Sequence, residues 1–285
     1  MNFVFLQKKY RMVTFPRAKI NIGLRITGKR PDGFHDIETL FCPLPLSDAL
    51  EFVVAEDQKK GDILAVTGID IPGEPRDNIV MEAVRKLREK HRFPALKIHL
   101  HKAIPAGAGL GGGSSDAAFL LKGINRCYGL KLDDDRLKEL ALELGSDCPF
   151  FIDCTPAYAS GRGEILDPFE KQPLKNHYTI LLNPGIIVNT KEAYQNCNPS
   201  KPESSLKKMI DLPVDKWKEN IFNDFEGYVF DKHPIIKALK EELYRTGAIF
   251  SLMSGSGSSV FGIFTKRTQI PDKLQEYIIW QGALL

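Results

Sequence analysis

Five glycines crowd into residues 105–115, which read Pro-Ala-Gly-Ala-Gly-Leu-Gly-Gly-Gly-Ser-Ser between a strand-like stretch, Leu96–Lys102, and a regular helical pattern. Backbone so poor in side chains can turn its N–H groups inward. The N-terminus of the following helix adds about half a positive charge, so the segment is suited to holding phosphate. A flexible linker is the competing reading, but a linker is not followed at once by so regular a helix. From Asp116, the apolar residues Ala117, Leu120, Leu121, Ile124, Cys127 and Tyr128 recur at helical spacing, with Lys122, Asn125 and Arg126 on the other side. The pattern predicts a helix from Asp116, capped by Ser114 or Ser115 and stopped at Gly129.

Several phosphate loops compete for this segment. A Walker A loop needs Lys and then Ser or Thr after its last glycine, whereas Gly113 is followed by Ser114 and Ser115. Gly107-Ala-Gly109-Leu-Gly-Gly112 matches the dinucleotide fingerprint by letter. That fingerprint also wants a second strand ending in an acid about 20 residues on, and Asp133, Asp134 and Asp135 open a helix instead. The His-Arg-Asp and Asp-Phe-Gly signatures of protein kinases are missing.

Three further segments carry chemistry. Ser254-Gly-Ser-Gly-Ser-Ser259 lies between the strand-like runs 248–253 and Val260–Phe264, which alone would read as a hairpin. With a phosphate-type loop upstream, the two loops are expected to face each other across one cleft. Gly145-Ser-Asp147-Cys-Pro-Phe-Phe151 follows a helix whose apolar face is Leu137, Leu140, Ala141 and Leu144. Asp147 then sits in a turn before an expected strand at Phe150, and an Asp in a turn commonly binds its own backbone. Near the start, Arg17, Lys19, Asn21 and Arg25 alternate with Ala18, Ile20, Ile22 and Leu24 at strand spacing, so the polar side chains share one face. A solvated edge is the plain reading of that face. After it, Gly33-Phe34-His35 puts a ring beside a polar edge reader, as a flat heterocycle requires, although a packed Phe with a surface His is the commoner case.

These segments in this order resemble the galactokinase, homoserine kinase, mevalonate kinase and phosphomevalonate kinase superfamily, the GHMP kinases, over about residues 14–265. Lys19, Phe34-His35 and Gly-Ser-Asp147-Cys-Pro look like the branch that acts on a cytidine diphosphate conjugate. Where that branch often has Tyr before His, this chain has Phe34, and residues 191–226 match least.

The resemblance implies an α+β, two-domain GHMP-kinase-like fold. Residues 1–172 would be a ribosomal protein S5 domain 2-like nucleotide domain, and 173–285 a smaller ferredoxin-like α/β sandwich. It implies ATP-dependent phosphorylation of the 2-hydroxyl of a methylerythritol unit in the non-mevalonate isoprenoid pathway. Lys19 and Asp147 would be catalytic. Pro105, Ala106, Gly107, Ala108, Gly109, Leu110, Gly111, Gly112, Gly113, Ser114 and Ser115 would hold ATP, with Mg²⁺ bridging phosphates and touching Ser115. Asn78 and Lys102 fall to the adenosine side, Phe34 and His35 to cytosine, Asn21 and Thr190 to the sugar or diphosphate. Gly255, Ser256 and Gly257 would close over the reacting end.

Composition agrees with an enzyme of two ordinary cores: 285 residues, 43% hydrophobic and 26% charged. No run approaches the roughly 20 apolar residues of a membrane span. Residues 1–11 lack an h-region, and Met12 is an alternative start. Five cysteines without C-x-x-C spacing fit reduced thiols in a cytoplasm, and a net charge of +3 gives little support to nucleic-acid binding. A small-molecule substrate is the expected partner, with no nucleic acid or membrane, for a monomer or weak homodimer. His99 and His101 share a strand face but lack a third metal ligand nearby. The domain boundary is expected in 163–176. A strand at Tyr178–Leu182, helices at 191–196 and Pro234–Arg245, and a last helix are expected beyond it, with a mobile loop at 198–205. Two other classes stay open: a nicotinamide-dependent oxidoreductase, and an RNA-binding module that ignores ATP. Within the kinases, the homoserine or mevalonate type is the alternative.

Overall fold

The computed structural model describes residues 4–5, 11–172, 174–197, 199 and 204–283. In chain order its strands are β1 Val4–Phe5, β2 Met12–Thr14, β3 Arg17–Lys29, β4 His35–Ser47, β5 Ala49–Val54, β6 Ile63–Gly68, β7 Leu96–Lys102, β8 Ala157–Ser160, β9 Ile165–Pro168, β10 Tyr178–Leu182, β11 Phe250–Met253, β12 Val260–Phe264 and β13 Ile278–Ala283. The helices are α1 Ile79–Arg88, α2 Gly112–Tyr128, α3 Asp134–Leu144, α4 Phe150–Asp153, α5 Thr190–Gln195, α6 Leu206–Ile210, α7 Glu226–Lys232, α8 Pro234–Arg245 and α9 Asp272–Gln275.

The chain forms two compact units that trade segments: Met1–Ala18, Pro45–Ala106 and Gly111–Cys154 make the first; Lys19–Leu44, Gly107–Leu110 and Thr155–Leu285 make the second. The first is built on a five-stranded sheet in the order β1-β2-β5-β7-β6, antiparallel except for the parallel pair β6–β7. Strand β7 shows the period-two logic plainly. Leu96, Ile98, Leu100 and Lys102 are buried while Lys97, His99 and His101 are exposed. Helix α2 lies close on this sheet, because a methyl group at Gly123 would come within 3.0 Å of both Met12 and Phe52.

The second unit holds two four-stranded sheets, β3-β4-β8-β9 and β11-β12-β10-β13. The latter is antiparallel throughout, and Ile180, Leu182, Val260 and Phe264 from it pack with Val229, Ile236, Leu239 and Leu243 of α7 and α8. The hairpin β11–β12 and the strand and helices expected in this region form as read.

Three local expectations are corrected. Helix α2 begins at Gly112, four residues before Asp116, with left-handed Gly111 as its N-cap and no side-chain cap; Ser114 and Ser115 lie inside its first turn. Its C-cap is Gly129, as expected. Phe150 to Asp153 are helical, not extended, because Pro149 at φ −57° and ψ −35° already sets the helical backbone. Finally, the last element is a strand, β13, with only the short α9 before it. The loop read at 198–205 falls largely on residues 198 and 200–203, which lie outside the described residues.

Candidate active site

The glycine run is shaped by alternation. Gly107, Gly109 and Gly111 hold φ of +62°, +75° and +69°, while Ala108 and Leu110 between them do not enter the left-handed region. Such alternation turns successive N–H groups to one side, the backbone habit of anion-binding nests. Gly109 is fixed sterically as well, because a Cβ there would stand 1.9 Å from the Ser254 carbonyl oxygen. Pro105 and Ala106 lead into the run, exposed Gly113 and half-buried Ser114 open α2, and buried Ser115 carries a hydroxyl with no hydrogen-bond partner.

Lys102 occupies an inward position of β7, so its ammonium is in the core, where a charge needs partners. It finds two: Asp48 Oδ2, and Asp116 Oδ2 at 2.7 Å. Burial pulls the Lys102 pKa down, but attraction to Asp116 and Asp48 outweighs it and the ammonium is held above its ordinary value. Burial pushes Asp116 well above the usual carboxylate range in spite of Lys102. Asn78, assigned with Lys102 to adenosine, caps α1 by accepting from Val80 N at 2.9 Å, and with Val66, Ile69 and Pro72 it lines a cleft of the first unit.

Asp147 sits in the turn between α3 and α4. Its neighbour Cys148 is buried. Burial pushes the Cys148 thiol up to about 12, which leaves it inert.

In the second unit, the solvated-edge reading of β3 fails for Lys19 and Asn21, which are only 3% and 2% exposed. Lys19 Nζ donates to Asn21 Oδ1 at 2.5 Å and lies 4.8 Å from the Phe41 ring centroid. Asn21 Nδ2 donates to Thr39 Oγ1, whose hydroxyl donates to Gly23 O, so the amide that receives Lys19 is itself held. The two glycine loops touch instead of facing each other across open space. Ser254 Oγ accepts from Asn21 N at 3.1 Å and donates to Gly109 O at 2.8 Å, and Ser259 N donates to Ala108 O at 3.2 Å. Lys19 N donates to Leu110 O at 2.9 Å. The upstream glycine segment, the Lys19 strand and the downstream loop, whose Gly255 and Gly257 are left-handed, thus form one hydrogen-bonded knot. Thr190 joins its rim through Ser256 Oγ at 2.9 Å.

Phe34 and His35 reverse the commoner arrangement. Phe34 is 49% exposed, with the Arg162 guanidinium 4.6 Å from its ring centroid. His35 is half-buried and stacks on Tyr194, centroids 5.0 Å apart and planes 17° apart. Burial first and Lys29 second lower the His35 pKa, which favours the neutral ring with one donor and one acceptor nitrogen.

The models for the GHMP kinases N terminal domain and the GHMP kinases C terminal domain match residues 78–158 and 210–279. A Parabacteroides distasonis protein named 4-diphosphocytidyl-2-C-methyl-D-erythritol kinase is 47% identical over 96% of this chain and all of that relative. The chain belongs to the GHMP kinases. A crystal structure of 4-(cytidine 5'-diphospho)-2C-methyl-D-erythritol kinase superposes on this GHMP kinase with a TM-score of 0.76 and 30% identity, covering 95% of this chain and 98% of that one. Homoserine kinase from Cytophaga hutchinsonii gives 0.61 at 19% identity over 93% and 89% of the two chains, a likeness of fold alone. Family membership sets aside the oxidoreductase and RNA-binding alternatives.

Sequence reasoning about this GHMP kinase missed Asp48, Asp116, Tyr194, Arg162 and Ser254 as partners of the predicted residues. For Asp48 and Asp116 the signal was present: Lys102 shares strand parity with Leu96, Ile98 and Leu100, and a lysine there demands carboxylates. Tyr194 and Arg162 had no such signal, being far in sequence from the turn they meet. His99 and His101 both hydrogen-bond Thr67 Oγ1, at 2.9 and 3.0 Å.

Proposed function

We propose that the chain is an ATP-dependent kinase that phosphorylates the 2-hydroxyl of 4-diphosphocytidyl-2-C-methyl-D-erythritol in the non-mevalonate isoprenoid pathway. The observation that carries this is 47% identity, over the full length of the relative, to a protein of that name. In the reaction the acceptor oxygen bonds to the γ-phosphorus, the bond from phosphorus to the bridging oxygen breaks, and ADP leaves. Such a transfer asks the protein mainly for positioning and charge neutralisation. Lys19 orients the acceptor hydroxyl; its burial and its contact with a held Asn21 support that role, since a fixed ammonium needs no reorganisation. Asp147 takes the hydroxyl proton. A carboxylate is a far weaker base than an alkoxide, so proton transfer is late and orientation contributes more.

The segment 105–115 holds the triphosphate through its backbone N–H groups, Pro105 having none to give, and the cleft beside Asn78 takes adenine. Mg²⁺ would neutralise the β- and γ-phosphates, and Ser115 is the residue that would hold it: its buried hydroxyl lacks a hydrogen-bond partner, which suits an oxygen kept for a hard cation. Phe34, His35 and Tyr194 supply rings and an edge reader for cytosine. Asn21 and Thr190 serve the sugar or diphosphate, and residues 255–257 the reacting end. A division at 172/173 is proposed because the two family models fall on either side of it. A cytoplasmic location fits five cysteines that are all free, and no described helix is long and apolar enough to cross a membrane. A monomer or weak homodimer without nucleic-acid or membrane partners completes the proposal. ADP release against a panel of acceptors, with and without the cytidine moiety, tests it; turnover of homoserine or mevalonate in place of the cytidylyl substrate would redirect it within the family.

A further inference from the structure

Given that residues 105–115 hold the ATP phosphates, we infer that Asp48 is a positioning residue for that loop, acting with Lys102 and Asp116 as a staple across its base. Asp48 is fully buried at the junction of β4 and β5, and both its carboxyl oxygens are used. Oδ1 accepts from Ala103 N at 2.6 Å and Ile104 N at 2.8 Å, the first two amides after β7. Oδ2 receives the Lys102 ammonium, which also binds Asp116, just past the first turn of α2, at 2.7 Å. One carboxylate and one lysine therefore tie both the entry and the exit of the glycine run to a single buried point. Asp48 is anchored in turn, its own N–H donating to Pro16 O at 2.9 Å.

The loop needs such a staple for a physical reason. Glycine loses more conformational freedom on ordering than any other residue, and this run holds five of them. Without fixed ends, phosphate would have to order the loop at the moment of binding and affinity would fall; with fixed ends that cost is met during folding. The same cluster gives Lys102 a role other than reading adenine. Its ammonium is 4% exposed and faces two carboxyls, while a methyl group at Gly112 would stand 3.3 Å from Nζ. The lysine passes beneath the start of α2, and a larger residue at 112 would crowd it.

Asp48→Asn keeps the size and an acceptor oxygen for Ala103 and Ile104 but removes the charge that faces Lys102. Calorimetric titration of the full chain with ADP, without acceptor, is the direct readout. The ADP dissociation constant should rise at least tenfold, and the KM for ATP with it, while the acceptor KM changes less than twofold. Lys102→Met should weaken ADP binding similarly, and the double variant should bind no more weakly than Lys102→Met alone, a non-additivity that general destabilisation would not produce. If Asp48→Asn does not fold, Asp116→Asn, which leaves every Asp48 contact in place, should still raise the ADP constant at least threefold. Folded variants that bind ADP within twofold of the parent, or effects that simply add, overturn the staple. A parent chain that binds no ADP instead removes the phosphate-loop reading, and the staple with it.

Discussion

At the scale of single residues, the roles proposed for Asp147 and His35 are separable by kinetics. Asp147→Asn keeps the shape of the turn and loses the proposed proton acceptor, so kcat should fall about 100-fold or more with the acceptor KM within a few-fold. Near-normal turnover in a folded variant would remove Asp147 from the chemistry. His35 predicts a pH effect whose sign follows from its lowered pKa. Both the fold and a neutral base reader favour the uncharged ring, so its contribution is complete above the ordinary value of 6.5 and is lost as pH falls through the lowered folded value. The acceptor KM should therefore rise in mild acid while the KM for ATP stays level, and a His35→Gln variant should flatten that profile. Lys102 shows what residue-level reading could have gained. Strand parity alone puts it inward, and asking which carboxylates neutralise it leads to Asp48 and Asp116. His35 on Tyr194 was not legible, because nothing in the spacing of residues 34–35 and 194 brings them together.

At the scale of elements, the order strand, glycine loop, helix was legible and the helix start was not. Side-chain periodicity begins at Asp116, but hydrogen bonding begins earlier: Ser115 N already donates to Gly111 O. Glycines have no side chain to register the period, so a helix that opens on Gly112 and Gly113 is invisible to it. Phe150 to Ile152 misled for a related reason. A short apolar run is compatible with either strand or buried helix, and the backbone at Pro149 decides it. The knot of loops carries its own prediction. Gly109 combines φ +75° with a Cβ position 1.9 Å from the Ser254 carbonyl, so Gly109→Ala adds about 1–2 kcal/mol of left-handed strain before any clash. The variant should unfold at a lower temperature and lose most of its ATP affinity, whereas Gly129→Ala, with open space around it, should lose stability only, as thermal unfolding with and without ATP would separate.

At the scale of the whole molecule, the number of cores was predictable from length, but the traffic between them was not. Residues 19–44 and 107–110 belong to the unit otherwise made of the last part of the chain, so a single boundary drawn along the sequence cannot describe the contacts. The carbonyl oxygens of residues 108–110 accept hydrogen bonds from Ser259, Ser254 and Lys19, all more than 80 positions away, which no local pattern encodes. A ligand that binds only the folded chain stabilises it by mass action, about 2.7 kcal/mol at 100 times its dissociation constant. ATP at that excess should raise the unfolding temperature measurably, and homoserine should not. The central claim is that this chain moves a phosphoryl group from ATP to a hydroxyl presented on a cytidine diphosphate. Its most direct measurement is coupled ADP release with 4-diphosphocytidyl-2-C-methyl-D-erythritol and with the same polyol phosphate lacking the cytidylyl group. Stoichiometric ADP with the first and background with the second is the predicted result; equal turnover of both, or none with either, contradicts it.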